Sequence, residues 1–191
     1  VSNIFAGSIR DRMSDIFDSP ESPFFKSAAT LEIGGLEPDE FAAFLARKFE
    51  QGRRSISRET LNEIIVTAES VPGDVQQLCG AFWDVSSPGD TLMNDRFPDA
   101  LELIFSRESK GYEAALVLIT GQQMKCLRGL ARLGGTSPLS AAFLEEVGIT
   151  LPASVKKALS RLIKLKVIYR HHGEYKFVNP FFKQWLLWKD F

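Results

Sequence analysis

Cysteine and histidine are scarce in this chain: among 191 residues there are two of each, Cys79 and Cys126 far apart, and His171 and His172 adjacent. Each cysteine sits inside an apolar helical pattern with no second Cys or His at ligand spacing. That excludes the common zinc spacings and a disulfide framework, and predicts buried, reduced thiols in a cytoplasmic protein. Long hydrophobic runs are also missing. No apolar stretch approaches the roughly 20 residues of a bilayer-spanning helix. Val1-Ser2-Asn3-Ile4 supplies neither a charged leader nor a cleavage site, so the expectation is a chain neither exported nor embedded in a membrane. There is no G-x-x-x-x-G-K-[ST] loop to cradle phosphates and no acidic strand end to hold Mg²⁺. The chain alone is therefore not expected to transfer phosphoryl groups, and no catalytic or metal-ligating residue is predicted in it. It begins without methionine, in what reads as a strand, which suggests a piece of a longer protein.

What is present is ordinary for a soluble globular protein: 45% hydrophobic residues, 25% charged, and room for one large or two small domains. The net charge of −1 conceals an asymmetry, because residues 1–120 hold 11 Lys/Arg against 20 Asp/Glu and residues 121–191 hold 12 against 4, giving −9 and +8. One reading is two domains with different partners, the basic one suited to nucleic acid; the other is that the halves attract each other or solvate their own faces.

The most informative stretch is Leu151–Phe191. Pro152 opens a helix whose apolar residues Val155, Leu159, Leu162, Ile163 and Leu165 mostly recur at helical spacing and form a core stripe. The other face carries Ser154, Lys157, Arg161 and Lys164. Val167–Arg170 and Tyr175–Val178 are β-rich runs joined through His171-His172-Gly173-Glu174, a polar, glycine-containing hairpin tip. An aromatic helix with Phe181, Phe182, Trp185 and Trp188 closes the chain. Upstream, Thr120 caps a helix over Gly121–Leu133 with Met124, Leu127, Leu130 and Ala131 inward, and Pro138–Val147 is a second helix stopped by Gly148. Helix, helix, helix, hairpin, helix is the order of a winged helix-turn-helix.

Earlier still, four short helices are predicted. The first starts at Leu36-Glu37-Pro38-Asp39-Glu40 with Phe41, Phe44, Leu45 and Phe49 inward. The second starts at Ser57-Arg58-Glu59-Thr60 with Leu61, Ile64, Ile65 and Ala68 inward. The third begins at Pro72-Gly73-Asp74, where Asp74 reads as a helix cap, with Val75, Leu78, Cys79 and Phe82 buried. Thr91–Arg107 supplies the fourth, interrupted by Pro98, and Gly111–Ile119 reads as a helical linker. Val1–Gly7 and Ala29–Ile33 read as strands on either side of a helix at Ile9–Phe17.

Several of these strings, in this order, resemble the AAA+ ATPases of the prokaryotic STAND-like type. Ile4-Phe5-Ala6-Gly7-Ser8 is similar to the family's sensor-1 strand, and Met13, Phe17 and Pro23–Ala28 to the segment before the last core strand, here Leu31-Glu32-Ile33. Val71-Pro72-Gly73-Asp74-Val75-Gln76-Gln77-Leu78-Cys79 resembles the sensor-2 segment. Leu118–Gln123 resembles the first winged-helix segment, and Tyr175–Leu186, with its Asn179-Pro180 and Trp185-Leu186, the last. The resemblance implies a mainly α chain: a remnant of an α/β AAA+ core at 1–35, a four-helix lid bundle at 36–108, and a winged helix with a short β-hairpin at 109–191. It implies vestigial nucleotide-sensing positions at Ser8, Lys26, Asp74 and Gln76. Relatives often carry arginine where this chain has Lys26 and Gln76, and neither residue reproduces arginine's forked donors.

The same resemblance implies an upstream nucleotide-binding domain holding ATP and Mg²⁺ in the parent chain, with no cofactor in this part. In the AAA+ core the phosphate-loop strand lies between the two strands retained here. Residues 1–35 are therefore expected to be disordered, rearranged or paired with another chain, and a dimer through those strands is one outcome. For Ser154, Lys157, Arg161, Lys164, Arg170, His171 and His172 two readings stay open. They form a duplex-DNA contact of recognition helix and wing, as in a transcriptional regulator, or a solvated face of a module that docks a protein partner.

Overall fold

The computed structural model describes residues 4, 5, 13, 16–29, 31 and 36–189. Two compact units result, Val1–Gly34 and Gly35–Phe191.

In the first unit Met13, Ile16 and Phe17 are helical, while Ile4, Phe5, Ala29 and Leu31 belong to no regular element. The remainder of both predicted strands, and Ser8 just after the first, lie outside the described residues. The Phe17 ring sits 5.3 Å from Phe5 and 6.5 Å from Phe24. Lys26 takes a left-handed conformation (φ 56°), and its N–H closes the turn by donating to the Phe17 carbonyl at 2.9 Å.

The second unit begins with α1, Pro38–Gln51. The Glu37 side chain accepts from the Glu40 N–H at 2.9 Å, and Asp39 and Glu40 lie at the helix's positive end. Ala42, Leu45 and Phe49 form the buried stripe. Phe44, expected inward, is 45% exposed and instead lies under the Lys48 ammonium, because it projects from the side of the helix away from that stripe. After α1, β1 (Ser55–Ile56) leads into α2 (Arg58–Thr67), capped by Ser57 Oγ on the Thr60 N–H at 3.0 Å. Then comes α3 (Pro72–Asp84). Gly52 lets the chain pass against the Trp83 ring, where a Cβ would come within 1.8 Å of a ring carbon. Arg54 stacks 4.0 Å over that same ring and donates to the Ser86 carbonyl and hydroxyl.

The fourth predicted helix differs from expectation. Thr91–Leu92 is a strand, β2, paired in parallel with β1 (Ser55 opposite Thr91, Ile56 opposite Leu92), and a 3₁₀ turn at Asn94–Arg96 follows. From there α4 runs unbroken from Phe97 to Val117, 21 residues, joining the predicted fourth helix to the predicted linker. Pro98 does not interrupt it. In the first turn its missing N–H has no intrahelical acceptor to lose.

The remaining elements are α5 (Gly121–Leu133), α6 (Ala141–Val147), α7 (Pro152–Lys164), β3 (Ile168–His171), β4 (Glu174–Phe177) and α8 (Pro180–Trp188). Thr120 and Gln123 form a full capping box on α5. Ser140, not Pro138, starts α6, and Gly148 ends it in the left-handed conformation. β3 and β4 pair antiparallel from Ile168–Phe177 to His171–Glu174. The hairpin is fastened to the α5–α6 loop by the Tyr175 N–H donating to the Gly135 carbonyl at 3.0 Å. A Cβ at Gly135 would meet that tyrosine's backbone at 1.8 Å.

One apolar cluster runs through the whole second unit, from Phe49 and Phe82 through Phe105 and Tyr112 to Trp185. The architecture is mainly helical, with eight α-helices and two short two-stranded sheets among the described residues. No helix among them is long and apolar enough to cross a membrane.

Candidate functional site

Helix α7 buries Val155, Ala158, Leu159 and Leu162 and turns Ser154, Lys157, Arg161 and Lys164 the other way. Spacings of three, four and three residues keep these four on one side of the helix. Lys157, Arg161 and Lys164 are exposed, Ser154 is half-buried, and the three cations have no ion pair or hydrogen bond among the described residues. Ile163 and Leu165, expected in the core stripe, are each 36% exposed. Ala158 fills the place beside Leu162, and Ile163 is rotated a further 100° or so out of the buried arc.

The wing is tighter than predicted. His171 and Glu174 form the last rung of the ladder, so the turn is His172-Gly173 alone, both at positive φ (47° and 87°). The rings of His171 and His172 lie 4.0 Å apart, and Arg170, exposed, reaches over the Tyr175 ring at 5.7 Å. Helix and wing thus offer a row of fixed cations. Positive charge of this kind attracts anionic groups in general.

The second arrangement centres on a residue that sequence reasoning missed. Glu108, on α4, accepts from Gln77 Nε2 of α3 through Oε1, and through Oε2 from the Tyr112 hydroxyl at 2.5 Å and Asn179 Nδ2 at 3.4 Å. Asn179 caps α8, its Oδ1 accepting from the N–H groups of Phe181 (2.8 Å) and Phe182 (3.0 Å). Nearby, Lys176 Nζ of β4 stands 3.9 Å from Glu69 Oε2 in the α2–α3 turn. The only sequence signals were Glu108 and Tyr112 at i, i+4 and the Asn179-Pro180 cap.

Asp74 lies in the first turn of α3 but is not its cap. The N-cap is Val71, which has no side-chain acceptor, and Asp74 is the third helical residue. Burial, then the charges of Glu108 and Glu69, hold its carboxyl above the ordinary carboxylate range. Burial also raises the Tyr112 phenol, reinforced by the Glu108 hydrogen bond. Gln76 is exposed on the same helix, whereas Lys26 belongs to the first unit and Ser8 lies outside the described residues. A cleft of about 440 Å³ borders the hub, lined by Arg107, Glu108, Tyr112, Lys166, Asn179 and Phe182 among others. The thiols are inert, burial pushing Cys79 up to about 12 and Cys126 to about 11. No group of three or more Cys, His, Asp or Glu among the described residues is disposed to hold a metal ion.

Residues 110–188 match a family model described as "Probable winged helix domain". That span includes α5 to α8, the hairpin, and the last turns of α4. A comparison with curated proteins found no match. Among solved structures, a Walker-type ATPase of Pyrococcus abyssi shares the fold with a TM-score of 0.60 at 18% identity, over 92% of this chain and 49% of that one. This chain therefore spans about half the length of that ATPase.

Proposed function

We propose that this chain is the lid and winged-helix portion of an AAA+/STAND-like ATPase, with the winged helix as its output or docking module. ATP and Mg²⁺ belong to an upstream nucleotide-binding domain of the parent chain. The domain limits are 1–35 for the core remnant, 36–108 for the lid and 109–191 for the winged helix. The observation that carries this reading is α4, a single helix from Phe97 to Val117 that packs on α3 at one end and on α8 at the other. Whatever tilts the lid must carry the winged helix with it. The order of the resemblances along the chain and the fold shared with a Walker-type ATPase support the same reading.

This chain's own residues do not suit a nucleotide. Gln76 presents a neutral amide, and Asp74, Glu69 and Glu108 put negative charge at the first turn of α3, where phosphate would be repelled. Nucleotide binding is accordingly tested on the parent protein. ATP·Mg²⁺ is expected to bind and to change hydrogen-exchange protection across residues 152–188. A parent without a phosphate-binding loop, or one whose winged helix is unaffected by ATP, ends the proposal.

The unpaired cations of α7 favour a second reading, a winged-helix regulator that binds duplex DNA. Its log affinity would fall with log salt at a slope of about −0.9 per neutralised phosphate. Lys157→Glu with Arg161→Glu is expected to weaken binding and flatten that slope by about 2. Unchanged affinity leaves the face to a protein partner.

A further inference from the structure

We propose that Glu108 is a positioning residue that couples the first turns of α3 to the N-cap of α8, so that a change at either end is felt at the other through one carboxylate. Gln77 and Asn179 lie far apart in sequence, yet their amides donate to the two oxygens of the same side chain. The Asn179 amide is not free to swing. Its oxygen holds the N–H groups of Phe181 and Phe182, which fixes the plane of the amide and so the direction in which Nδ2 points. Tyr112, one turn along α4, holds the carboxylate from its own helix, and its ring packs against Phe182 at 5.1 Å and Trp185 at 5.4 Å. Displacing the carboxylate therefore disturbs the cap and the aromatic anchor of α8 together.

On the other side, Asp74 lies one turn before Gln77 on α3 and feels the charges of Glu108 and Glu69. Glu69 faces Lys176 of β4, a second bridge from the same corner of the lid to the strand that leads into Asn179. Hydrogen bonds to an ionised acceptor are about twice as strong as neutral ones, and half-buried ones are screened less than surface pairs. Three donors from three elements on one carboxylate form a network, in which deletions are expected not to add.

The experiment is a triple-mutant cycle on the 191-residue chain, read by urea unfolding. Gln77→Met and Asn179→Ser are made singly and together, first with Glu108 present and then with Glu108→Ala. Serine keeps a capping hydroxyl and removes only the amide donor. With Glu108 present, the double variant is expected to depart from additivity by about threefold or more in the unfolding equilibrium constant. Without Glu108 the effects should add to within about twofold. Gln77→Met is also expected to speed hydrogen exchange at the Phe181 and Phe182 amides, with which Gln77 shares no hydrogen bond. If Glu108→Ala does not fold, Glu108→Gln takes its place and is expected to shrink the coupling. Additivity in the presence of Glu108, equal non-additivity after its replacement, or unaltered exchange at Phe181 and Phe182 overturns the proposal.

Discussion

At Asp74 the folded chain binds a proton more tightly than the unfolded chain does, first because of burial and then because Glu108 and Glu69 are negative. A carboxyl raised in this way contributes stability that is full below its unfolded value, about 3.9, and lost as pH rises through the folded one. Asp74→Asn does not titrate. The stability of the wild-type chain relative to that variant should fall as pH climbs from about 4, which denaturation at a series of pH values will check. Carboxyl NMR offers the complement: Glu108→Gln should bring the Asp74 titration back toward its ordinary position. None of this was legible in the sequence. Asp74 two residues after Pro72 looks like any first-turn acid, and the charges that perturb it arrive from the α2–α3 turn and from α4.

Elements were legible where one local signal decides them. Pro152 opening α7, Thr120 capping α5 and Gly148 ending α6 all follow from backbone groups within four residues of the cap. Expectation and structure part at Thr91–Leu92, because two residues become a strand only when another segment, Ser55–Ile56, lies alongside. They part again at Pro98, where a residue that breaks a helix interior is harmless one position from the start. The wing's seating also depends on a distant neighbour, Gly135. Gly135→Ala would drive a methyl into the Tyr175 backbone and is expected to cost about 1–3 kcal/mol, seen as a lowered unfolding midpoint. Trp185, wholly buried against Tyr112 and Phe182, is expected to cost about 3–5 kcal/mol on truncation to alanine. The neighbouring Trp188, 58% exposed with its ring 5.4 Å from Phe105, should cost less.

For the molecule as a whole, the sequence reveals the winged helix by its order of elements and the charge asymmetry by simple counting. How the acidic and basic parts meet is not visible there, since it turns on single contacts such as Glu69 with Lys176 and Lys189 with Glu113. Those two contacts spend few charges, and the cations of α7 are left to solvent. Lys157→Glu with Arg161→Glu should therefore leave thermal stability nearly unchanged, within about 0.5 kcal/mol, while altering any polyanion binding. A large loss of stability would mean that the basic face is held by something within the chain.

The unbroken α4 also governs how this molecule can be taken apart. A protease looks for an exposed, irregular joint, and between the proposed lid and winged-helix parts it finds helix instead. A cut between residues 108 and 109 would sever backbone hydrogen bonds in mid-helix. It would leave Glu108 on one fragment and its partners Tyr112 and Asn179 on the other, and it would strip Phe105 from Trp188. The stretches on either side of that cut can be told apart by the order of their elements, yet they come as one piece of material.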